Sequence, residues 1–297
     1  MIRLLGTIAL ALAGNPTTLL AQDFEFNREM AAGAKFTLRN IIGDVRVEAG
    51  SGRALSVTAR KKPGRHGDPD DVEIKPVEID GGVAICVYYP SSGRSRRDDR
   101  DRDRDRDRDR RRSDDPCSRG SGWQNSDRND TSIDFLVRLP AGLRVDAKTV
   151  AGDFIGTGLR GTLDLGTVSG NLSLADIEGD VLEATSVSGD IELEGIRVGE
   201  VGAETVSGDV TFTGRIDPKG RYGFKTLSGD VVMTLPREPD ATVSAVTFSG
   251  DLDSAFPLGA TNGGRNRRHR FKATWGAGTA QLDLESFSGD IRIREAN

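Results

Sequence analysis

The sequence predicts an all-β protein, a parallel β-solenoid with coils of about 20 residues, and three observations predict it. A five-residue core recurs as TVAGD at 149–153, TVSGN at 167–171, SVSGD at 186–190, TVSGD at 205–209, TLSGD at 226–230, TFSGD at 247–251 and SFSGD at 286–290. The residues after each core alternate apolar and polar, the period of a half-buried strand. Glycine accounts for 37 of 297 residues, well above the ~7% of ordinary chains and without the Gly-X-Y period of collagen.

The core glycines follow one another at intervals of 18, 19, 19, 21, 21 and 39 residues. The last interval reads as two periods with one core degraded around Ala273–Thr279, and a weaker half-repeat lies at Ile177–Val181. Strict alternation through Gly208 puts Val206, Gly208, Val210 and Phe212 on an inner face, with Thr205, Ser207, Asp209 and Thr211 outside. The same parity places Val187, Leu227 and Phe287 inside. A unit this short holds two or three strands and cannot bury its apolar face alone, whereas stacked units share one core. Residues 140–297 are thus expected to form about seven coils, ~34 Å of stack at the ~4.8 Å strand spacing. A β-sandwich is the alternative, since many short strands suit it too.

Taken in chain order, residues 1–21 read as a signal peptide: Arg3, a mostly apolar run from Leu4 to Ala13, a break at Asn15-Pro16, and Leu19-Leu20-Ala21 ahead of Gln22. Residues 22–90 alternate at Phe36/Leu38, Val45/Val47, Leu55/Val57, Val72/Ile74 and Val83/Ile85, which predicts opening coils; Ile41–Val45 is an early relative of the core. Residues 91–130 are expected to be a disordered insertion. From Arg94 to Asp115 it carries 11 Arg and 9 Asp, strictly alternating from Asp99 to Arg110. A helix would set like charges at i and i+4, and a strand would have nothing to bury. The repeat domain occupies 131–297, resuming at Phe135–Pro140.

An exported chain makes Cys86 and Cys117 candidates for a disulfide, with two unpaired thiols as the alternative. The bridge would close a loop of about 30 residues, worth roughly 3–4 kcal/mol. No C-x-x-C spacing points to redox catalysis.

Stacking aligns Asp153, Asn171, Asp190, Asp209, Asp230 and Asp251, and carboxylates ~4.8 Å apart repel by about 0.9 kcal/mol even at the dielectric of water. Calcium could offset this, but the nine-residue calcium repeat of solenoids is absent. Backbone N–H groups donating to each Asp, with ladders of Ser and Thr hydroxyls, are the preferred answer. No catalytic, cofactor or metal residue is assigned. His66 and His269 lie among Gly and Arg, and only Trp123 and Trp275 could serve as a sugar-stacking platform. Arg265, Arg267, Arg268, His269, Arg270 and Lys272 read as a solvated basic loop able to meet anionic headgroups. The charged run Arg292–Glu295 is expected to protect a terminal rung, with no separate cap visible.

The TVSGD-type cores, the export signal and the closing Ser286–Ile293 run resemble the bacterial putative-adhesin family of secreted β-strand-repeat proteins of unknown function. The Cys86 strand, the insertion with Cys117, and Phe135–Leu143 leading into the first core are similar to that family as well, while the Arg/Asp tract departs from it. The resemblance implies an all-β solenoid in the cell envelope or beyond it. The expected function is an exported, non-enzymatic solenoid presenting a polar repeat face to an envelope or extracellular polymer or protein, in adhesion or envelope organisation. A periplasmic scaffold or sensor linked to envelope stress is one alternative, and a polysaccharide-active β-helix enzyme is another. Nucleic acid is not an expected partner, nor is a transmembrane segment expected in the mature chain, which has no apolar run of about 18 residues.

Overall fold

A computed structural model describes residues 24–89, 115–117, 129–257 and 269–296. Residues 1–21, read above as a signal peptide, most of the Arg/Asp tract, Trp123, Arg265, Arg267 and Arg268 lie outside these residues. The described chain is β throughout, apart from a single 3-10 turn at Pro69–Asp71.

The repeat region is a parallel β-solenoid in which each coil contributes one long and one short strand. The long strands are β8 (Leu143–Ala151), β10 (Gly161–Ser169), β12 (Glu178–Thr185), the second part of β13 (Ile191–Ser207), β15 (Arg221–Ser228), β17 (Ala241–Ser249) and β20 (Ala280–Ser288). Each is followed across a Ser-Gly-Asp corner by a short strand: β9 (Phe154–Thr157), β11 (Leu172–Ala175), the start of β13, β14 (Val210–Gly214), β16 (Val231–Leu235), β18 (Leu252–Ser254) and β21 (Ile291–Glu295). Long strands pair only with long strands, and short with short, so two sheets face each other. Their inner side chains meet in one core, where Phe212 of a short strand lies 5.9 Å from Tyr222 and 5.4 Å from Phe224 of a long one.

Coil order in space departs from coil order in sequence at the C-terminal end. β20 pairs in parallel with β15 on one side and β17 on the other, and β21 lies likewise between β16 and β18. The chain skips a slot to build β17 and β18, and β19 (His269–Trp275) then runs antiparallel along the outer edge of β17. Finally β20 and β21 fill the slot. The long interval before Gly289 is therefore an antiparallel edge strand and its return turn, not a degraded coil. His269, Arg270 and Lys272 lie on that strand rather than in a loop, and Trp275 is buried with its indole N–H donating to the Pro257 carbonyl at 2.9 Å.

The N-terminal end uses a similar arrangement. β2 (Lys35–Arg39) and β3 (Val45–Ala49) form a coil that pairs with β8 and β9 on one side. On the other side it pairs with β6 (Gly82–Tyr88) and β7 (Ser132–Leu139). Beyond these, β5 (Glu73–Ile79) runs antiparallel to β6, and β4 (Ala54–Lys62) runs antiparallel between β7 and β1 (Phe24–Glu29). The stack thus does carry separate caps. Pro76 on β5 removes a donor from that edge, and Arg292–Glu295 sits inside the sheet, paired on both sides where β18 reaches it.

The inner face also differs from simple alternation. Tyr222, Phe224 and Thr226 of β15 are buried, and so are Val231, Met233 and Leu235 after the corner. Thr226 and Val231 are five residues apart, an odd step, so the corner changes the parity. Leu227 points outward, as do Val187, Val206 and Phe287, while Thr226, Ser186, Thr205 and Ser286 are buried in their place. The cause is the corner glycine: at Gly208 φ is +152°, and a Cβ there would lie 2.2 Å from the Gly189 carbonyl oxygen of the preceding coil.

Candidate functional site

Each Ser-Gly-Asp corner places four groups in fixed positions, and stacking turns each into a column. The innermost is the buried Thr or Ser hydroxyl, which donates to the carbonyl of the corner glycine in the neighbouring coil. Thr205 reaches Gly189 at 3.0 Å, Thr226 reaches Gly208 at 2.9 Å, Ser286 reaches Gly229 at 2.9 Å and Thr247 reaches Gly289 at 2.8 Å. A small hydroxyl is therefore favoured at this core position, because it satisfies an otherwise under-used carbonyl without adding bulk.

The outermost column is the carboxylate ladder. Backbone N–H groups donate to the side chain of the preceding rung: Asp153 to Asp44 at 3.0 Å, Asn171 to Asp153 at 2.8 Å, Asp190 to Asn171 at 3.0 Å, Asp209 to Asp190 at 2.9 Å and Asp230 to Asp209 at 2.7 Å. Asp290 donates to Asp230 and Asp251 to Asp290, both at 2.8 Å, so the ladder follows the spatial order of the coils. This is the backbone solution anticipated above, and it fixes one oxygen of each side chain. Asn171 shows that an amide carbonyl can serve as well as a carboxylate. Asp209→Asn is accordingly expected to leave stability within about 0.5 kcal/mol, while Asp209→Ala costs about 1 kcal/mol by stranding the Asp230 N–H, as denaturant unfolding would show. Arg292 pairs with Asp230 and Asp290. For Asp230, burial works to raise the pKa, but the Asp290 N–H and the Arg292 guanidinium together bring it below the ordinary carboxylate value.

Between these columns lie the exposed serines and an exposed apolar ladder. Val168, Val187, Val206, Leu227, Phe287 and Phe248 succeed one another in register, with relative exposures of 44, 44, 45, 52, 52 and 39%. Among the described residues every exposed large hydrophobic side chain belongs to this ladder. Phe287 and Phe248 stack with centroids 4.8 Å apart and planes 4° from parallel. Val206, Leu227, Phe287 and Phe248 form one wall of an open groove of about 520 Å³, and Glu204 and Lys225 are on its other side, 3.2 Å from each other. Four of the ladder residues, Val187, Val206, Leu227 and Phe287, were expected on the inner face. The signal that could have revealed them is the odd five-residue step between Thr and the next inward residue.

The outer face of the long-strand sheet beside this groove is rich in carboxylates. Partial burial pushes the Glu183 carboxyl above its ordinary pKa, and Asp164, Glu204 and Glu200 push in the same direction. A raised acid opposes folding when charged, so the penalty is present near neutrality and vanishes as pH falls through the Glu183 pKa. Glu183→Gln is expected to raise the melting temperature slightly at pH 7, and the gain should be lost as the pH falls through the raised titration range to below the ordinary Glu value. Scanning calorimetry across that range checks it.

Cys86 and Cys117 form the disulfide, with Cα atoms 5.5 Å apart. Beside it Arg39, nearly buried, donates to both carboxylate oxygens of Asp146 at 2.8 and 2.7 Å and to Asp115 at 2.7 Å. The residues preceding Cys117 are thereby fastened to the outer face of the long-strand sheet. His66 is exposed, and its backbone N–H donates to Asp130 at 2.9 Å. Among the described residues no group of three or more His, Cys, Asp or Glu side chains is placed to hold a metal ion, and no helix is long and apolar enough to cross a membrane.

A family model described as Toastrack DUF4097 matches residues 125–294. Two solved structures are similar in outline. One, described as a putative cell adhesion protein from Clostridium sporogenes, is 11% identical with a TM-score of 0.34, over 92% of this chain and 99% of that one. The other, described as a putative adhesin from Bacteroides fragilis, is 10% identical with a TM-score of 0.39, over 91% of this chain and 96% of that one. No curated protein sequence matches the chain.

Proposed function

The chain is a member of the Toastrack DUF4097 family, and on that premise we propose that it is an exported, non-catalytic scaffold of the cell envelope that docks a partner along its corner ladder. One observation carries this reading: all the exposed large hydrophobics among the described residues are gathered into one ordered column. Scattered surface hydrophobics need no explanation, but a contiguous apolar strip rimmed by polar groups marks an interaction surface. The hydroxyl and carboxylate columns are accounted for by hydrogen bonds within the stack, which supports a structural role for the repeat Asp residues rather than a catalytic one. The recognition face therefore differs from the polar face expected from the sequence: its centre is apolar, and its polar groups form the rim.

Site-directed photo-crosslinking in intact cells tests this. A crosslinker at Leu227 or Phe287 is expected to yield a discrete adduct, and one at Thr211 or Thr234, on the outer face of the opposite sheet, is expected to yield none. Equal yields from both faces would remove the reading. Trypsin added before and after permeabilising the outer membrane decides between the cell surface, which favours adhesion, and the periplasm, which favours envelope organisation.

A further inference from the structure

The spacing and charge around the ladder specify what can occupy it. The six rungs from Val168 to Phe248 extend over about 24 Å at the ~4.8 Å strand spacing. An extended peptide laid along the ladder would offer same-side residues every ~6.6–6.8 Å, which falls out of step at once. An α-helix offers one apolar residue per ~5.4 Å turn, about 0.6 Å more than one rung, so over the four rungs from Val187 to Phe287 the offset grows only to about 1.8 Å, and about 16 residues cover the full length.

The two flanks differ in charge, one acidic and the other mixed. The carboxylate ladder lies on one side, with Asp153, Asp190, Asp209 and Asp251 exposed. On the other side Glu183, Glu204 and Glu285 lie along the sheet near Lys225. Lys225 has its pKa raised by its hydrogen bond and charge contact with Glu204 first, with Glu285 and Asp283 adding to it. Arg270, paired with Val246 on the edge strand, lines the Phe248 end of the groove, where it and Lys225 balance Glu204 and Glu285. A second copy of this chain meeting ladder to ladder would bring two carboxylate columns together, so like charge opposes self-pairing.

Resting on the docking reading above, we propose that the ladder seats a cationic amphipathic α-helix of a partner protein, about four turns long. Its apolar stripe lies on Val187, Val206, Leu227 and Phe287, and its Lys and Arg side chains reach the exposed carboxylate ladder, Asp190 and Asp209 first. This is helix-in-groove recognition, with the affinity coming from the apolar anchors and the orientation from charge.

The test uses the full-length protein and three labelled 18-residue peptides: a Leu/Lys sequence with helical apolar periodicity, the same composition with strict alternation, and a Leu/Glu version of the helical pattern. Anisotropy titration is expected to show binding of the Leu/Lys helix alone, weakened at least tenfold between 50 and 500 mM salt. Leu227→Ser with Phe287→Ser should weaken it at least tenfold, circular dichroism confirming the fold. Asp190→Asn with Asp209→Asn keeps the backbone acceptors, as Asn171 does, and should still weaken binding severalfold. Equal binding of the alternating peptide, indifference to these substitutions, or dimerisation through the ladder would each overturn the proposal. If the Leu/Lys helix fails to bind while Leu227 crosslinks persist in cells, only the helical partner is wrong. If the crosslinks are absent too, the docking reading falls with it.

Discussion

Gly208→Ala is expected to cost about 3 kcal/mol or more of stability, a large effect for a single added methyl group. Two causes combine. The backbone at Gly208 has φ of +152°, a region that side chains with a Cβ scarcely enter, and the added carbon would lie 2.2 Å from the Gly189 carbonyl oxygen. That oxygen already accepts the Thr205 hydroxyl, so moving it away disturbs a second bond. In a stack each coil is supported by its neighbours, so the damage spreads to the coils on both sides. Gly223→Ala is the control: it lies within a long strand, and a Cβ there meets nothing within 4 Å. Its effect should stay within about 0.5 kcal/mol. Denaturant unfolding of the two variants gives the comparison, and similar losses would mean that close approach at the corner is not what selects glycine.

Removing the disulfide by Cys86→Ala with Cys117→Ala is expected to cost about 3 kcal/mol, given the 31-residue separation of the two positions. The loss should be felt at the N-terminal end of the stack, because Cys86 lies on β6 of the terminal coil and Cys117 follows Asp115, a partner of Arg39. Hydrogen exchange should show faster exchange in β2 and β6 while β13–β16 keep their protection. Unchanged exchange in β6 would mean that the Arg39 ion pairs and the core alone hold the coil.

The strand period, the coil length and the parallel stacking were all legible in the TVSGD-type cores, because burial on one face imposes alternation and stacking imposes a repeat. The carboxylate ladder was legible for the same reason: identical residues at identical places in successive coils must satisfy one another. The outward turn of Leu227 and Phe287 was not. Alternation is a property of a continuous strand, and the corner glycine, at positive φ in Gly229, interrupts the strand at the point where the parity matters. Coil order was hidden as well. β17 and β20 present near-equivalent edges to β15, and which of them pairs there depends on the antiparallel excursion of β19. No local pattern in the sequence encodes that excursion. The apolar ladder, the main element of the candidate site, was thus present as the second residue of six of the seven cores, but Val187, Val206, Leu227 and Phe287 were assigned to the wrong side of the sheet.

The measurement that tests the ladder as a docking surface most directly is hydroxyl-radical footprinting of the wild-type protein, in intact cells and after purification. Leu227, Phe287 and Phe248 are reactive and exposed in the isolated chain, and Ile155 and Val232 on the outer face of the opposite sheet are internal references. The expected result is several-fold slower oxidation of the three ladder residues in cells, with the references unchanged. Equal oxidation of the ladder in both preparations would contradict the account.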